Sequence, residues 1–181
     1  MSKKLYLISP GSINKKFYKN LDCVLSFGNI AMFQLRLKKT TNDKFFKIAK
    51  KIKKVTDKHK VKLIINDNYL IALRVKADGC HVGQQDGSLL VARKKLKNKI
   101  LGVTCHNSRK LARIALKYKP NYLAFGSFYK SKLKPKALKS DPRILKWAKK
   151  CLKKPIVAIG GINNKNYKKL IRAGAKYIAI S

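Results

Sequence analysis

The sequence predicts an α/β protein: a (β/α)8 TIM barrel in which residues 1–181 form a single domain lacking the final helix. Three observations predict it. Eight short apolar runs of β type alternate with Lys-rich amphipathic segments along the whole chain. Most of the runs are continuously apolar, as in parallel strands covered on both faces. No linker-like stretch divides them. Parallel strands require crossovers, and eight such units close into a barrel. The rival is a doubly wound open sheet. It needs no eighth strand and usually carries a Gly-rich fingerprint after its first, whereas the first turn here is Ser9-Pro10-Gly11-Ser12.

In chain order the expected strands are residues 5–9, 32–37, 61–66, 79–82, 100–104, 122–125, 156–159 and 177–180. The segments between them read as helices. In 43–58, Phe45, Phe46, Ile48, Ala49, Ile52 and Val55 recur at helical spacing, with lysines on the other face. Asp43 and Asp141 precede helical runs and are expected as N-caps. The sequence stops at Ser181, on the last strand, so an eighth helix is not expected. At 181 residues the chain lies below the usual barrel range of about 200 upward.

Composition narrows the function classes. Lys and Arg number 45 against seven acids, all Asp, for a formal charge of +38. Such basicity permits polyanion contact but is a weak cue, because a Lys-, Ile-, Asn- and Tyr-rich composition also follows from codon bias. No apolar run approaches the roughly 20 residues that span a bilayer, and the stretch after Lys3 and Lys4 is too short for a signal peptide. Cys23, Cys80, Cys105 and Cys151 are far apart, with no C-x-x-C. Reduced, buried and inert thiols in a cytoplasmic protein are expected, not disulfides or a zinc site.

Barrel chemistry belongs at the carboxyl ends of the strands. Strand 2 ends in Gln34, Arg36 and Lys38, which alternation puts on one side. The alternative is a solvated basic edge. Asp67 after strand 3 and Asp86 after strand 4 fall at equivalent positions. Two carboxylates in so cationic a chain suit Mg²⁺ shared with substrate phosphates, or else they cap the helices that follow. Strand 5 brings Thr104, a hydroxyl for a phosphate oxygen, and His106, a candidate acid–base group or a local hydrogen-bonding residue. His81 is expected to be packed within strand 4 and His59 to be solvated between lysines. The polar stretch 126–135 has the composition of an active-site flap. Gly160-Gly161 after strand 7 suits backbone contact with an anion at a helix start. Cations, two carboxylates and a separate backbone phosphate site describe two phosphorylated small-molecule ligands, one a metal-bound diphosphate and the other a monophosphate.

Five motifs in order, Gln34-Leu35-Arg36-x-Lys38, Ile65-Asn66-Asp67, His81-Val82-Gly83-Gln84-x-Asp86, Gly102-Val103-Thr104-x-His106 and Ala158-Ile159-Gly160-Gly161-Ile162, resemble the thiamine phosphate synthase and thiazole tautomerase family over nearly the whole chain. The resemblance implies Mg²⁺-dependent joining of a hydroxymethylpyrimidine diphosphate to a thiazole phosphate, with release of pyrophosphate. It implies that Gln34, Arg36, Lys38, Asn66, Thr104 and Lys134 bind the pyrimidine diphosphate. Of these, Arg36, Lys38 and Lys134 would stabilise the leaving group. It further implies that Asp67 and Asp86 hold Mg²⁺, and that Ser131, Gly161 and Ser181 bind the thiazole phosphate. The chain departs from the family pattern at Leu133, where the flap has a hydroxyl, at Leu37, often Glu, at Asn68, commonly Arg, and at Thr104, more often Ser. A tautomerase-like paralogue using His106 is the first alternative, and a non-catalytic polyanion or RNA binder the second. No membrane and no dedicated nucleic-acid partner are expected, and a homo-oligomer is compatible with the sequence.

Overall fold

A computed structural model describes residues 4–38, 40–83, 88–130 and 139–181. Eight parallel strands close in sequence order into a barrel, β1 pairing with both β2 and β8, so the open doubly wound sheet is excluded. The strands are β1 (Leu5–Ile8), β2 (Ile30–Leu35), β3 (Lys62–Asn66), β4 (Gly79–Val82), β5 (Ile100–His106), β6 (Tyr122–Phe125), β7 (Ile156–Ile159) and β8 (Tyr177–Ile180). The helices are α1 (Lys15–Ser26), α2 (Asn42–Lys58), α3 (Tyr69–Arg74), α4 (Leu89–Leu96), α5 (Arg109–Leu116), α6 (Arg143–Cys151) and α7 (Tyr167–Arg172).

Strand alternation divides the apolar residues into two layers. Between strands and helices lies a continuous shell that includes Leu35, Leu63, Ile65, Val103, Leu123 and Phe125, with the helix residues Ala49, Ile52, Ala112 and Leu145. A smaller cluster, Tyr6, Met32, Ile64, Tyr122, Ala124, Val157 and Ala179, fills the barrel interior. Burying each of the larger side chains contributes roughly 1.5–3 kcal/mol, so the outer shell carries most of the stability.

Four strands differ in extent from the sequence expectation, β1 and β3 by one residue and β2 and β5 by two, the last two each for a local reason. β2 stops at Leu35 because Arg36 N–H donates to Ser9 Oγ (2.9 Å) in place of a ladder carbonyl. β5 continues to His106 through a register shift between Thr104 and His106. The helix caps also differ. Thr41 caps α2 while Asp43 sits in its first turn, where its charge meets the positive helix end. Pro142 occupies the α6 cap position, and Asp141 instead accepts from Arg143 N–H (2.8 Å) and Arg143 Nε (2.7 Å). His59 is not solvated, since its Nε2 lies 2.7 Å from Asp22 Oδ1. Cys80 and Cys105 are buried, as expected, but Cys23 and Cys151 are exposed at positions on the outer helices. Burial pushes the Cys105 thiol up to about 12. Among the described residues, no helix is long and apolar enough to cross a membrane.

Candidate active site

The carboxyl ends of β2 to β5 gather the side chains on which the sequence reading centred. Gln34 is buried in the barrel interior, and its Nε2 donates to the Tyr6 hydroxyl at 2.8 Å. Ser9 builds the exit from β2. Its N–H donates to the Gln34 carbonyl (2.9 Å), and its Oγ accepts from Arg36 N–H and donates to Pro10 O (3.0 Å). Lys38 N–H donates to Gly11 O (3.3 Å). The β1 loop therefore aligns the backbone that carries Arg36 and Lys38. Among the described residues, neither cation has an ion-pair partner, and Arg36 is half-buried while Lys38 is exposed.

Asp67 follows β3 in a left-handed conformation (φ 62°), held by its N–H donating to His81 O at 2.7 Å. Its carboxylate accepts from Asn66 Nδ2. It does not cap α3, because Asn68 does so through Ile71 N–H (2.9 Å). Ser88 likewise caps α4, so the helix that follows β4 has a cap other than Asp86. Asp86 itself lies outside the described residues, as do Ser131, Leu133 and Lys134.

Five of the seven acids have structural work elsewhere. Asp22 meets Lys58 and His59, which hold its carboxyl below the usual carboxylate range. Asp43 sits at the start of α2, Asp57 pairs with Lys53, Asp78 with Lys62, and Asp141 with Arg143. Asp67 is the described acid that a strand end delivers to the mouth. Among the described residues no group of three His, Cys, Asp or Glu side chains gathers to hold a metal. The described carboxylate, Asp67, is a hard oxygen ligand of the kind Mg²⁺ accepts, one or two carboxylates being completed by phosphate oxygens.

From β5, Thr104 Oγ1 lies 2.7 Å from His81 Nε2. His81 is buried, as its place in β4 predicted, but both its ring nitrogens are engaged, Nδ1 with the Tyr122 hydroxyl at 3.0 Å. Its ring stacks on Tyr122 at an interplanar angle of 14°. Tyr122 Oη in turn lies 2.7 Å from Tyr6 Oη. Sequence reasoning missed Tyr6, Tyr122 and the double engagement of His81. Their signal was polar-tipped residues at inward positions of otherwise apolar strands. His106, by contrast, is exposed at φ 50°.

The opposite half of the mouth is made of main chain. Phe128 N–H donates to Ile159 O (3.2 Å) and Tyr129 N–H to Gly160 O (3.0 Å), so the start of the β6 loop lies along the end of β7. A Cβ on Gly161 (φ 61°) would stand 2.3 Å from Lys130 O, and one on Gly160 (φ 105°) 2.0 Å from Ser127 Oγ. Both glycines thus permit close backbone approach as well as positive φ. Ser181 is exposed beyond β8.

Residues 5–181 match the thiamine monophosphate synthase family. The chain belongs to this family. A thiamine-phosphate synthase of Pelagibacter ubique is 53% identical over 180 residues, which are 99% of this chain and 87% of that one. One from Erythrobacter litoralis is 38% identical, covering 98% of this chain and 86% of its relative. The solved thiamine phosphate pyrophosphorylase of Pyrococcus furiosus superposes with a TM-score of 0.87 at 28% identity, over 98% of this chain and 85% of the other. Family membership thus agrees with the barrel.

Proposed function

We propose that the chain is a transferase of thiamine biosynthesis, a thiamine phosphate synthase that joins hydroxymethylpyrimidine diphosphate to thiazole phosphate and releases pyrophosphate. The observation that carries this reading is that an amide, two cations, a carboxylate and a hydroxyl lie at the carboxyl ends of β2, β3 and β5. The 53%-identical synthase from Pelagibacter ubique, matching 99% of the chain, supports it.

Arg36 and Lys38 supply positive charge where the departing pyrophosphate accumulates negative charge, and the family resemblance assigns Lys134, outside the described residues, the same role. Gln34 and Asn66 orient the pyrimidine, while Thr104 donates a hydrogen bond to a diphosphate oxygen. Mg²⁺, held by Asp67 and Asp86, would neutralise the diphosphate when bound. The C–O bond to the diphosphate breaks with its electron pair leaving on pyrophosphate, and the thiazole nitrogen lone pair forms the new C–N bond. Gly161 N–H, Ser131 and Ser181 hold the thiazole phosphate against it. Charge stabilisation and positioning carry such a reaction, so no nucleophilic side chain is required.

A tautomerase has no diphosphate to bind and would leave Arg36, Asn66 and Asp67 without a role. The free thiols of Cys23 and Cys151, exposed on the surface, support a reducing, cytoplasmic setting. The test is incubation with both substrates and Mg²⁺. Equimolar pyrophosphate and thiamine phosphate are expected. Isomerisation of the thiazole without pyrophosphate release would overturn the reading.

A further inference from the structure

The loop that joins β7 to α7 is pinned at two successive carbonyls. Gly160 O accepts from Tyr129 N–H (3.0 Å), at the start of the β6 loop. Gly161 O accepts from Asn166 Nδ2 (3.1 Å), and Asn166 Oδ1 accepts in turn from Asn163 N–H (2.9 Å). The Tyr129 hydroxyl donates to Asn166 O (3.3 Å) and ties the two loops together a second time. Asn166 stands at the cap position of α7, where a short polar side chain normally accepts from the helix N–H groups. It makes no such bond. Its amide is turned back onto the loop instead.

Peptide geometry converts the two pins into two donors. A peptide is planar and trans, so its N–H points opposite to its C=O. Holding Gly160 O on Tyr129 turns Gly161 N–H away from the β6 loop. Holding Gly161 O on Asn166 turns Ile162 N–H away from the Asn166 side chain. Among the described residues neither N–H has a hydrogen-bond acceptor, although Gly161 is half-buried and Ile162 buried. Nearly all buried N–H groups in native structures are paired. Adjacent ones in a turn, here with Gly161 in the left-handed region (φ 61°), make a concavity suited to an anion. The residue type at 166 points the same way. Aspartate or serine would serve a helix cap as well, but among side chains this short only the amide offers Asn163 N–H an acceptor and Gly161 O a donor at once.

We propose that Asn166 is a positioning residue for the monophosphate substrate, setting the Gly161–Ile162 peptide so that Ile162 N–H donates to the phosphate beside Gly161 N–H. The proposal rests on the reading of the β7 loop as the thiazole phosphate site, and adds to it a second main-chain donor and the side chain that aims it. Donors fixed in advance need no reorganisation when the anion arrives. Tyr129 holds the first donor and Asn166 the second, so one can be lost without the other. Asn166 touches no substrate. It acts through one peptide.

The chain contains one Gly–Gly and one Gly–Ile sequence, at 160–161 and 161–162. Labelling with carbonyl-¹³C glycine, ¹⁵N-glycine and ¹⁵N-isoleucine therefore reduces a carbonyl-filtered ¹H–¹⁵N spectrum to the Gly161 and Ile162 amides. Titration with thiazole phosphate should move both amide protons downfield in the wild type. In Asn166→Ser the Gly161 shift should remain at saturation and the Ile162 shift should be lost. An Ile162 amide that does not respond in the wild type, or that responds equally in Asn166→Ser, overturns the proposal. Kinetics give a second reading. Asn166→Ala and Asn166→Ser should each raise the thiazole phosphate KM roughly tenfold, as for one hydrogen bond to a charged group, with the pyrimidine diphosphate KM within about twofold of wild type. A wild-type KM in Asn166→Ser would mean that Asn166 is an ordinary helix cap. Equal rises in both constants would mean that it supports the barrel. Either result overturns the proposal. A wild-type protein that releases no pyrophosphate would refute the functional reading, while the Ile162 response to thiazole phosphate would still decide the role of Asn166.

Discussion

The two halves of the barrel mouth are built from different materials. From β2 to β5 the rim is made of side chains: Gln34, Asn66, His81 and Thr104 stand on the strands, Arg36 and Asp67 directly follow β2 and β3, and Gln34, His81 and Thr104 are tied by hydrogen bonds that reach into the interior. From β6 to β7 it is made of backbone, where glycines let residues 127–130 lie against the end of β7. The first half carries functional groups at little steric cost. The second carries shape, and tolerates no added atom. The same barrel therefore has a region that fails by chemistry and a region that fails by packing.

Substitutions at the two rims should separate those failures. The largest effect is expected from Asp67→Ala. Mg²⁺-dependent turnover should fall at least about a hundredfold, as for loss of a group that stabilises developing charge, while the thermal midpoint stays within a few degrees. Near-normal turnover would show that the carboxylate side of the mouth holds no metal. Gly161→Val should do the reverse. Its side chain would run into Lys130 O and Tyr129 O, at a φ that a β-branched residue resists, costing about 2–4 kcal/mol in urea unfolding. A stable Gly161→Val protein that has lost only thiazole phosphate affinity would erase the contrast between the rims.

Smaller effects sharpen the comparison. Ser9→Ala removes the oxygen that accepts from Arg36 N–H. The KM for the pyrimidine diphosphate should rise roughly tenfold with the thiazole KM unchanged, since one hydrogen bond to the segment carrying a key cation is lost. Equal increases in both would mean that Ser9 supports the barrel and not the β2 exit. The smallest effect is expected at Ser140, on the main-chain side. Its N–H donates to Ser127 O (2.6 Å), but its buried hydroxyl has no hydrogen-bond partner among the described residues. Ser140→Ala should raise stability by up to about 1 kcal/mol. A loss of that size would indicate a partner for this oxygen.

Much of this was legible in the sequence because the barrel repeats a simple code. Apolar runs bounded by lysines marked the eight strands, and four of them, β4, β6, β7 and β8, match their expected limits. Strand ends were less legible where a distant atom decides them. Ser9 ends β2, yet it lies 27 residues before Arg36. Caps were misassigned where two suitable residues compete. Thr41 outranks Asp43 because it sits at the turn itself, where its hydroxyl reaches the N–H of Lys44. Cys23 and Cys151 read as buried because a small thiol on an amphipathic helix gives no sign of which face it occupies. The line through Tyr6 and Tyr122 could not be read at all, since the two residues are 116 apart and each resembles an ordinary strand aromatic. Only barrel closure brings β1 and β6 face to face.

The claim on which these expectations depend is that the side-chain rim is a specific Mg²⁺–diphosphate site and not a patch of a broadly cationic surface carrying +38 charges. Calorimetry of pyrophosphate with wild type and Asp67→Ala, each with and without Mg²⁺, measures it most directly. One site per chain is predicted, strengthened at least tenfold by Mg²⁺ in the wild type and indifferent to Mg²⁺ in Asp67→Ala. Equal binding by both proteins with or without the ion, weakening steeply with added salt as bulk electrostatics requires, would contradict it.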